Sequence, residues 1–294
     1  MSPRRERDSA LSDRVVVITG AASGIGRALA LACARRGATL ALADVAVEEL
    51  ATLEVELEAL AVPRQRSWTS RVDVSVRDQV EGWATEVMNR FGAADVVVNC
   101  AGVSLHCPLD ETSAEDFQWV MATNFWGVVH GSQAFLPQLA QGERGHLINV
   151  SSVFGLGAFP CTGAYAASKF AVRGFTETLA IELSLTHPSI SVTCVHPGGI
   201  KTPLVRRGRV RGTGSLASTP EDAAVGFERE LARMSAADCA EHIAQVMLRP
   251  RSRLLIGADA WLIDLGVRLF PSFYKRALGW LIERARRADR AKKS

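Results

Sequence analysis

Thr19-Gly20-Ala21-Ala22-Ser23-Gly24-Ile25-Gly26 follows directly on the apolar run 15–18, and a stretch of helical character opens at once behind it. A short β-branched run of this kind reads as a strand buried on both faces. Glycines at its end let the chain turn sharply and bring backbone N–H groups close to a ligand, and a helix starting there adds its positive end. The segment therefore fits a phosphate-bearing ligand. The alternative is a tight strand-to-helix turn that uses glycine for structural reasons alone.

Working outward, the same alternation recurs. Apolar, β-branched runs at 39–43, 95–98, 146–150 and 191–195 are separated by helical stretches at 24–36, 45–60, 76–91 and 164–185. Strand alternating with helix predicts a doubly wound parallel sheet in three α/β/α layers. Helix starts are marked by Ser75, by Thr112 or Ser113, and by Thr219-Pro220-Glu221, with proline at a first helical position. Residues 203–217 hold four arginines and three glycines with little periodicity and read as a mobile loop. The layout expected is a flexible N-terminus over 1–13, one catalytic domain over 14–258 with a substrate loop at about 203–226, and an extension over 259–294.

Bulk composition narrows the function classes. The chain has 294 residues, 48% of them hydrophobic, and a net charge of +3 with mixed signs through most of its length, so a nucleic-acid-binding surface is not indicated. Six cysteines are scattered without a C-x-x-C pair or a histidine cluster at metal-ligand spacing, which favours reduced thiols and no metal. The charged N-terminus lacks a signal peptide's apolar run, and no uncharged stretch reaches the ~18 residues of a membrane-spanning helix. A cytoplasmic protein is expected, soluble or peripherally attached to membrane.

Asp44 ends the second strand about twenty residues past the glycine turn, where a carboxylate accepts hydrogen bonds from adenosine ribose hydroxyls and repels a 2′-phosphate. The expectation is NAD(H) over NADP(H), unless Arg27 or Arg36 reaches the site; the other reading of Asp44 is a helix cap. Tyr165 and Lys169, four apart in a helical stretch, project from one face. An ammonium beside a phenol favours the phenolate, whose free pKa of ~10 is otherwise too high for proton transfer near neutrality. Ser152 lies just beyond a strand end, where open α/β sheets bind ligands. Alone, each has a plain alternative: an amphipathic surface pair, or a loop end.

Together these residues resemble the short-chain dehydrogenase/reductase family over roughly residues 14–202. The resemblance rests on the T-G-x-x-x-G-x-G turn, the Tyr165/Lys169 pair and a serine thirteen residues before the tyrosine. It implies a Rossmann-like single domain that exchanges hydride with a nicotinamide cofactor and needs no metal. Ser152 and Tyr165 would bind the substrate hydroxyl, Tyr165 taking its proton. Lys169 would lower the tyrosine pKa and bind the nicotinamide ribose, and Asn124 would hold a water linking the lysine to solvent. Cofactor contacts are implied at Gly20, Ser23, Gly24, Ile25, Gly26, Asp44, Asp73, Val74, Asn99, Ala101, Gly102, Tyr165, Lys169, Pro197, Gly198, Ile200 and Thr202. One departure is visible: the family's usual N-N-A-G appears as Asn99-Cys100-Ala101-Gly102, one amide short. A homodimer or homotetramer is implied, built partly from the outer face of the Tyr165 helix at Phe170, Phe175, Leu179 and Leu183.

Apolar residues at Leu105, Phe154, Leu156 and Phe159 suggest a hydrophobic pocket for a bulky secondary alcohol or ketone, of steroid, terpenoid or long-chain type. The extension from Asp259 mixes aromatic and aliphatic residues with many cations, which suits an interfacial amphipathic helix broken or started at Pro271. The same residues would also serve to cover the pocket or a partner subunit. Rival readings are a catalytically silent cofactor sensor or scaffold, and a peripheral membrane module.

Overall fold

The structure, a computed structural model, describes residues 10–213, 217–280 and 283–284. Seven strands form one sheet: β1 (Val15–Thr19), β2 (Thr39–Asp44), β3 (Ser67–Arg71), β4 (Val96–Asn99), β5 (Gly145–Val150), β6 (Ile190–Pro197) and β7 (Arg253–Ile256). Their order is β7-β6-β5-β4-β1-β2-β3, every neighbouring pair is parallel, and the order reverses between β1 and β4. Helices connect them: α1 (Gly24–Arg35), α2 (Val47–Ala59), α3 (Arg77–Phe91), α4 (Ala114–Met121), α5 (Gly127–Leu139), α6 (Gly163–Thr186), α7 (Pro220–Glu230), α8 (Ala236–Leu248) and α9 (Ala258–Leu269).

Strand alternation decides the layers. Val16, Ile18, Leu40, Leu42, Val96, Val98 and Ile148 face one core, shared with α1, α2 and α8. Val17, Ala41, Ala43, Val97 and Leu147 face the other, against α3, α5 and α6, where Trp83 meets Phe135 edge-on at 5.4 Å. A sheet apolar on both faces must be covered on both, so its ligand-binding crevice is left at the carboxyl ends of the strands, at the order reversal. The chain is thus a Rossmann-like, doubly wound α/β domain.

Two strands, β3 and β7, escape the apolar-run reading. Both are edge strands, half-exposed, and carry Arg71 and Arg253 at their ends; an edge needs no continuous hydrophobic run. Residues 203–213 are also more ordered than their composition suggests. Arg209–Val210 pairs in parallel with Leu105–His106, and the Arg209 guanidinium lies 3.8 Å over the Trp119 ring and 2.7 Å from Asp116. Arg206 bridges Glu221 and Glu228 on α7. The arginines act as straps, a long-range role that periodicity does not register. Residues 214–216 lie outside the described residues.

At the termini, residues 1–9 of the expected flexible segment fall outside the described residues, while Leu11 is buried in the core and its N–H donates to the Arg36 carbonyl at 3.0 Å. After β7, α9 is tied back into the domain: Asp259 accepts from the Gly199 N–H at 2.6 Å, and Asp264 pairs with Arg253. Helix resumes over 273–280 beyond a turn at Pro271. Among the described residues no helix is long and apolar enough to cross a membrane.

Candidate active site

A cavity of about 1130 Å³ opens at the carboxyl ends of the strands, and its floor is the glycine turn. Gly20 and Gly24 have φ of +70° and +53°, which a residue with a Cβ adopts only under strain. A methyl on Gly20 would come 2.7 Å from the Ala101 Cα, so the turn can lie this close to the β4 end only without side chains. Behind it, α1 starts at Ser23 without a side-chain cap and without an acidic residue in its first turn, leaving its first N–H groups directed at the cavity. Gly20, Ser23, Gly24, Ile25 and Gly26 all line it.

Asp44 lines the same cavity and is held rigidly: one carboxylate oxygen accepts from Ala22 N at 3.0 Å, the other from Ala46 N at 3.1 Å. It therefore fixes the turn to the β2 end and also acts locally on the chain leading into α2. Arg27 pairs with Glu56 and Arg36 with Glu241, so neither reaches toward Asp44. Arg207, which sequence reasoning did not single out, lines the cavity from the opposite loop and pairs with Glu49 at 3.0 Å. Asp73 and Val74 form the adjoining wall, Asp73 accepting from both the N–H and the hydroxyl of Ser75. Ser75 is thus bound to Asp73, and the residue preceding α3 is Val76.

Beyond β4, Ala101 and Gly102 line the cavity and Asn99 does not. The Asn99 amide turns into the interior, donating to Asn149 Oδ1 at 2.8 Å, and it packs against Gly131. Its side chain ties β4 to β5 and α5. Cys100 does line the cavity; its thiol is pushed up to about 11 by burial, and its N–H donates to the Thr19 hydroxyl at 3.1 Å. Pro197, Gly198, Ile200 and Thr202 close the cavity on the β6 side.

Ser152, Tyr165 and Lys169 converge on the cavity from the end of β5 and the first turns of α6. Lys169 is buried, donates to the Val150 carbonyl at 3.0 Å and lies 5.7 Å from the Tyr165 ring centre. Desolvation pushes its pKa down to about 8. Burial likewise pushes the Tyr165 phenol up to about 12, against the opposing pull of the Ser152 hydroxyl beside it. A low-dielectric surrounding thus penalises the phenolate and the ammonium alike.

Asn124 is fully buried behind the cavity wall, on a π-helical turn (Ala122–Trp126) between α4 and α5. Such turns re-aim a single residue inside a helix. Its amide donates to the Val103 carbonyl (3.0 Å) and the Ser168 hydroxyl (3.1 Å) and accepts from Val103 N (2.7 Å). Both amide protons are therefore committed to protein, and the side chain braces the 102–103 turn against α6, next to Lys169. His196, also missed, is buried on β6 with Nδ1 3.1 Å from the Ser152 carbonyl, and burial lowers its pKa to about 4. Neutral imidazole donating there holds the Ser152 backbone.

Aromatic and aliphatic residues share the rest of the cavity wall with His106, Asp222 and Arg229. Phe154 meets Phe159 at 4.8 Å and the Tyr165 ring edge-on at 5.6 Å. Trp119, Val225, Phe227, Leu231 and Leu278 complete it. Leu105 and Leu156, expected in the pocket, are instead in the core at 2% exposure each. Leu278, from the helix over 273–280, is in the wall as well, in line with the reading that apolar residues of the C-terminal extension cover the pocket.

Glycine cradle, uncapped helix end, Asp44 and a lysine beside a tyrosine together fit a nicotinamide dinucleotide with room left for a second ligand. Comparison with known proteins points the same way. The sequence pattern of the family described as short chain dehydrogenase matches residues 14–210. SadH of Mycobacterium tuberculosis, provisionally named an oxidoreductase, is 39% identical over 268 residues, covering 91% of this chain and 95% of its own. A short-chain dehydrogenase/reductase from Burkholderia phymatum, solved in complex with NAD, superposes with a TM-score of 0.75 at 33% identity, covering 82% of this chain and 88% of that one. An alcohol dehydrogenase from the archaeon Thermococcus sibiricus, complexed with 5-hydroxy-NADP, gives 0.68 at 26% identity, with coverages of 83% and 95%.

Proposed function

The chain belongs to the short-chain dehydrogenase/reductase family and is an oxidoreductase that uses a nicotinamide cofactor; from that premise we propose that it interconverts a hydrophobic secondary alcohol and its ketone, with NAD(H) preferred. The observation that carries this reading is the meeting of Tyr165, Ser152 and Lys169 in a cavity whose wall also holds Trp119, Phe154, Phe159, Phe227 and Leu278. Steroids, terpenoids and long-chain compounds are the substrate classes that such a wall suits, because burying apolar surface supplies binding energy in proportion to area.

The dinucleotide would be held by the Gly20–Gly26 turn, Asp44, Asp73, Val74, Ala101, Gly102, Lys169 and the segment from Pro197 to Thr202. When bound, it supplies the hydride acceptor or donor. Ser152 donates a hydrogen bond to the substrate oxygen, and Tyr165 exchanges the proton at that same oxygen. With its phenol pushed up to about 12, Tyr165 is a proton donor at neutral pH, the state needed for ketone reduction. Oxidation needs the phenolate, which Lys169 then favours when charged. Asn124 holds the 102–103 turn against Lys169, so any water that relays protons here meets its remaining carbonyl capacity rather than its amide.

Preference for NAD(H) is supported by the Asp44 carboxylate and by the pairing of Arg27 and Arg36 elsewhere. A homodimer or homotetramer is supported by the exposed Phe170, Ile181 and Leu185 on α6; of the other residues expected there, Leu183 is buried within the domain. A cytoplasmic location agrees with this reading. The test is a panel of ketones, from steroid-like and long-chain to small polar sugars, assayed with NADH and NADPH. Higher kcat/KM for hydrophobic ketones with NADH is expected; preference for sugars or for NADPH would overturn the corresponding part.

A further inference from the structure

Helix α9 has two apolar faces. Ala260 is fully buried, and Ile263 and Val267 lie against Gly157 beside the cavity. On the other side Trp261, Leu262, Leu265 and Leu269 fall within about 100° of one another around the helix and stand in solvent, Trp261 at 64% and Leu262 at 70% exposure. Phe270 and Phe273, ring to ring at 6.4 Å, carry this surface across the Pro271 turn to the helix over 273–280, where Trp280 is also more than half exposed. A contiguous apolar surface of this size is a contact site.

Charge identifies the contact. Between Arg268 and Ser294 nine Arg or Lys accompany two Asp or Glu, so this segment carries +7 in a chain whose total is +3, and the rest of the molecule is net negative. Among the described residues, Lys275 and Arg276 are exposed between Phe273 and Trp280, and the Arg284 guanidinium lies 5.3 Å over the Trp280 ring. Cations interleaved with aromatics suit a bilayer surface, where rings enter the headgroup layer and long basic side chains reach anionic phosphates. A second copy of the chain would bring the same positive segment against this face, and like charges repel across a symmetric interface.

We propose that the outer face of α9 and the helix over 273–280 form a docking surface for an anionic lipid bilayer. The surface is peripheral, since neither helix spans a membrane. It adjoins the cavity: Leu278 of the second helix is in the cavity wall, and its Tyr274 hydroxyl accepts from Ala158 N at 3.5 Å. Docking therefore sets the Leu278 side of the cavity beside the lipid. The proposal stands apart from the catalytic reading, because a chain without oxidoreductase activity would bind lipid equally.

The experiment is co-sedimentation of the full chain with vesicles of phosphatidylcholine alone or mixed with phosphatidylglycerol, alongside Leu262→Gln/Leu265→Gln, whose side chains are exposed and outside the cavity. Binding to the phosphatidylglycerol vesicles is expected, weakening with salt, with a blue shift of tryptophan emission, and lowered about tenfold or more in the double variant. NADH binding by the variant, read by cofactor fluorescence, stays unchanged and reports that the domain is folded. Absence of vesicle binding, or equal binding by the variant, overturns the proposal. A fall in the variant's oligomeric mass without vesicle binding by the parent also overturns it and assigns the face to a second copy of the chain.

Discussion

Replacing Lys169 by Met keeps the length of a buried side chain and removes its charge, and the consequence is a pH-dependent difference in stability. Burial lowers the Lys169 pKa from 10.5 to about 8; at about 1.4 kcal/mol per unit this corresponds to roughly 3 kcal/mol of destabilisation while the group is charged. Below pH 8 the folded and unfolded chains both hold the ammonium and the penalty is present in full. Between about 8 and 10.5 the unfolded chain binds more protons than the folded one, so stability rises with pH across that window. Tyr165 acts oppositely: its phenol is raised to about 12, so above pH 10 the unfolded chain loses that proton first and stability falls. Up to about pH 10 the raised phenol stays protonated in the folded chain, so the tyrosine adds little to the difference between the two proteins. Loss of the bond to the Val150 carbonyl adds a cost of about 1–3 kcal/mol that does not vary with pH. Denaturant unfolding of both proteins from about pH 7 to about pH 10 should show the parent gaining about 2–3 kcal/mol relative to Lys169→Met, or about 5 °C in Tm. A difference that stays flat over this range would refute the depressed lysine.

Three further outcomes follow from the same geometry. Gly20→Ala places a methyl 2.7 Å from the Ala101 Cα at a φ of +70°, so NADH affinity measured by fluorescence titration should fall at least about tenfold, with about 1–3 kcal/mol lost in stability. Because alcohol oxidation needs the Tyr165 phenolate, its initial rate should climb with pH by up to about tenfold per unit below the phenol pKa, while ketone reduction stays flat until the phenol titrates; an oxidation rate independent of pH contradicts the assignment. Asp259→Ala leaves the buried Gly199 N–H without its acceptor, so thermal unfolding should report a loss of about 1–3 kcal/mol and NADH should bind more weakly through the displaced 197–202 segment.

The parts legible in the sequence are those set by local spacing. The glycine turn behind β1, the buried central strands and the Tyr165/Lys169 pair on α6 follow from periods of two and 3.6 residues, which local sequence carries. What escaped are features made by contacts distant along the chain. β3 and β7 are edges whose pairing supplies what their composition lacks. Asn99 has the residue type of a ligand contact, yet Gly131 lets it turn inward to Asn149. Residues 203–213 are held through Arg209 by Trp119 and Asp116 on α4. The spacing of Tyr165 and Lys169 reports their proximity and not the desolvation that both undergo.

The most direct test of the account is Tyr165→Phe, which removes the proton donor and leaves the ring against Phe154. NADH titration and turnover of a hydrophobic ketone should be measured on the same preparation. The account predicts cofactor affinity within about threefold of the parent and turnover lower by at least about a hundredfold. Turnover close to that of the parent, with cofactor affinity retained, would contradict it.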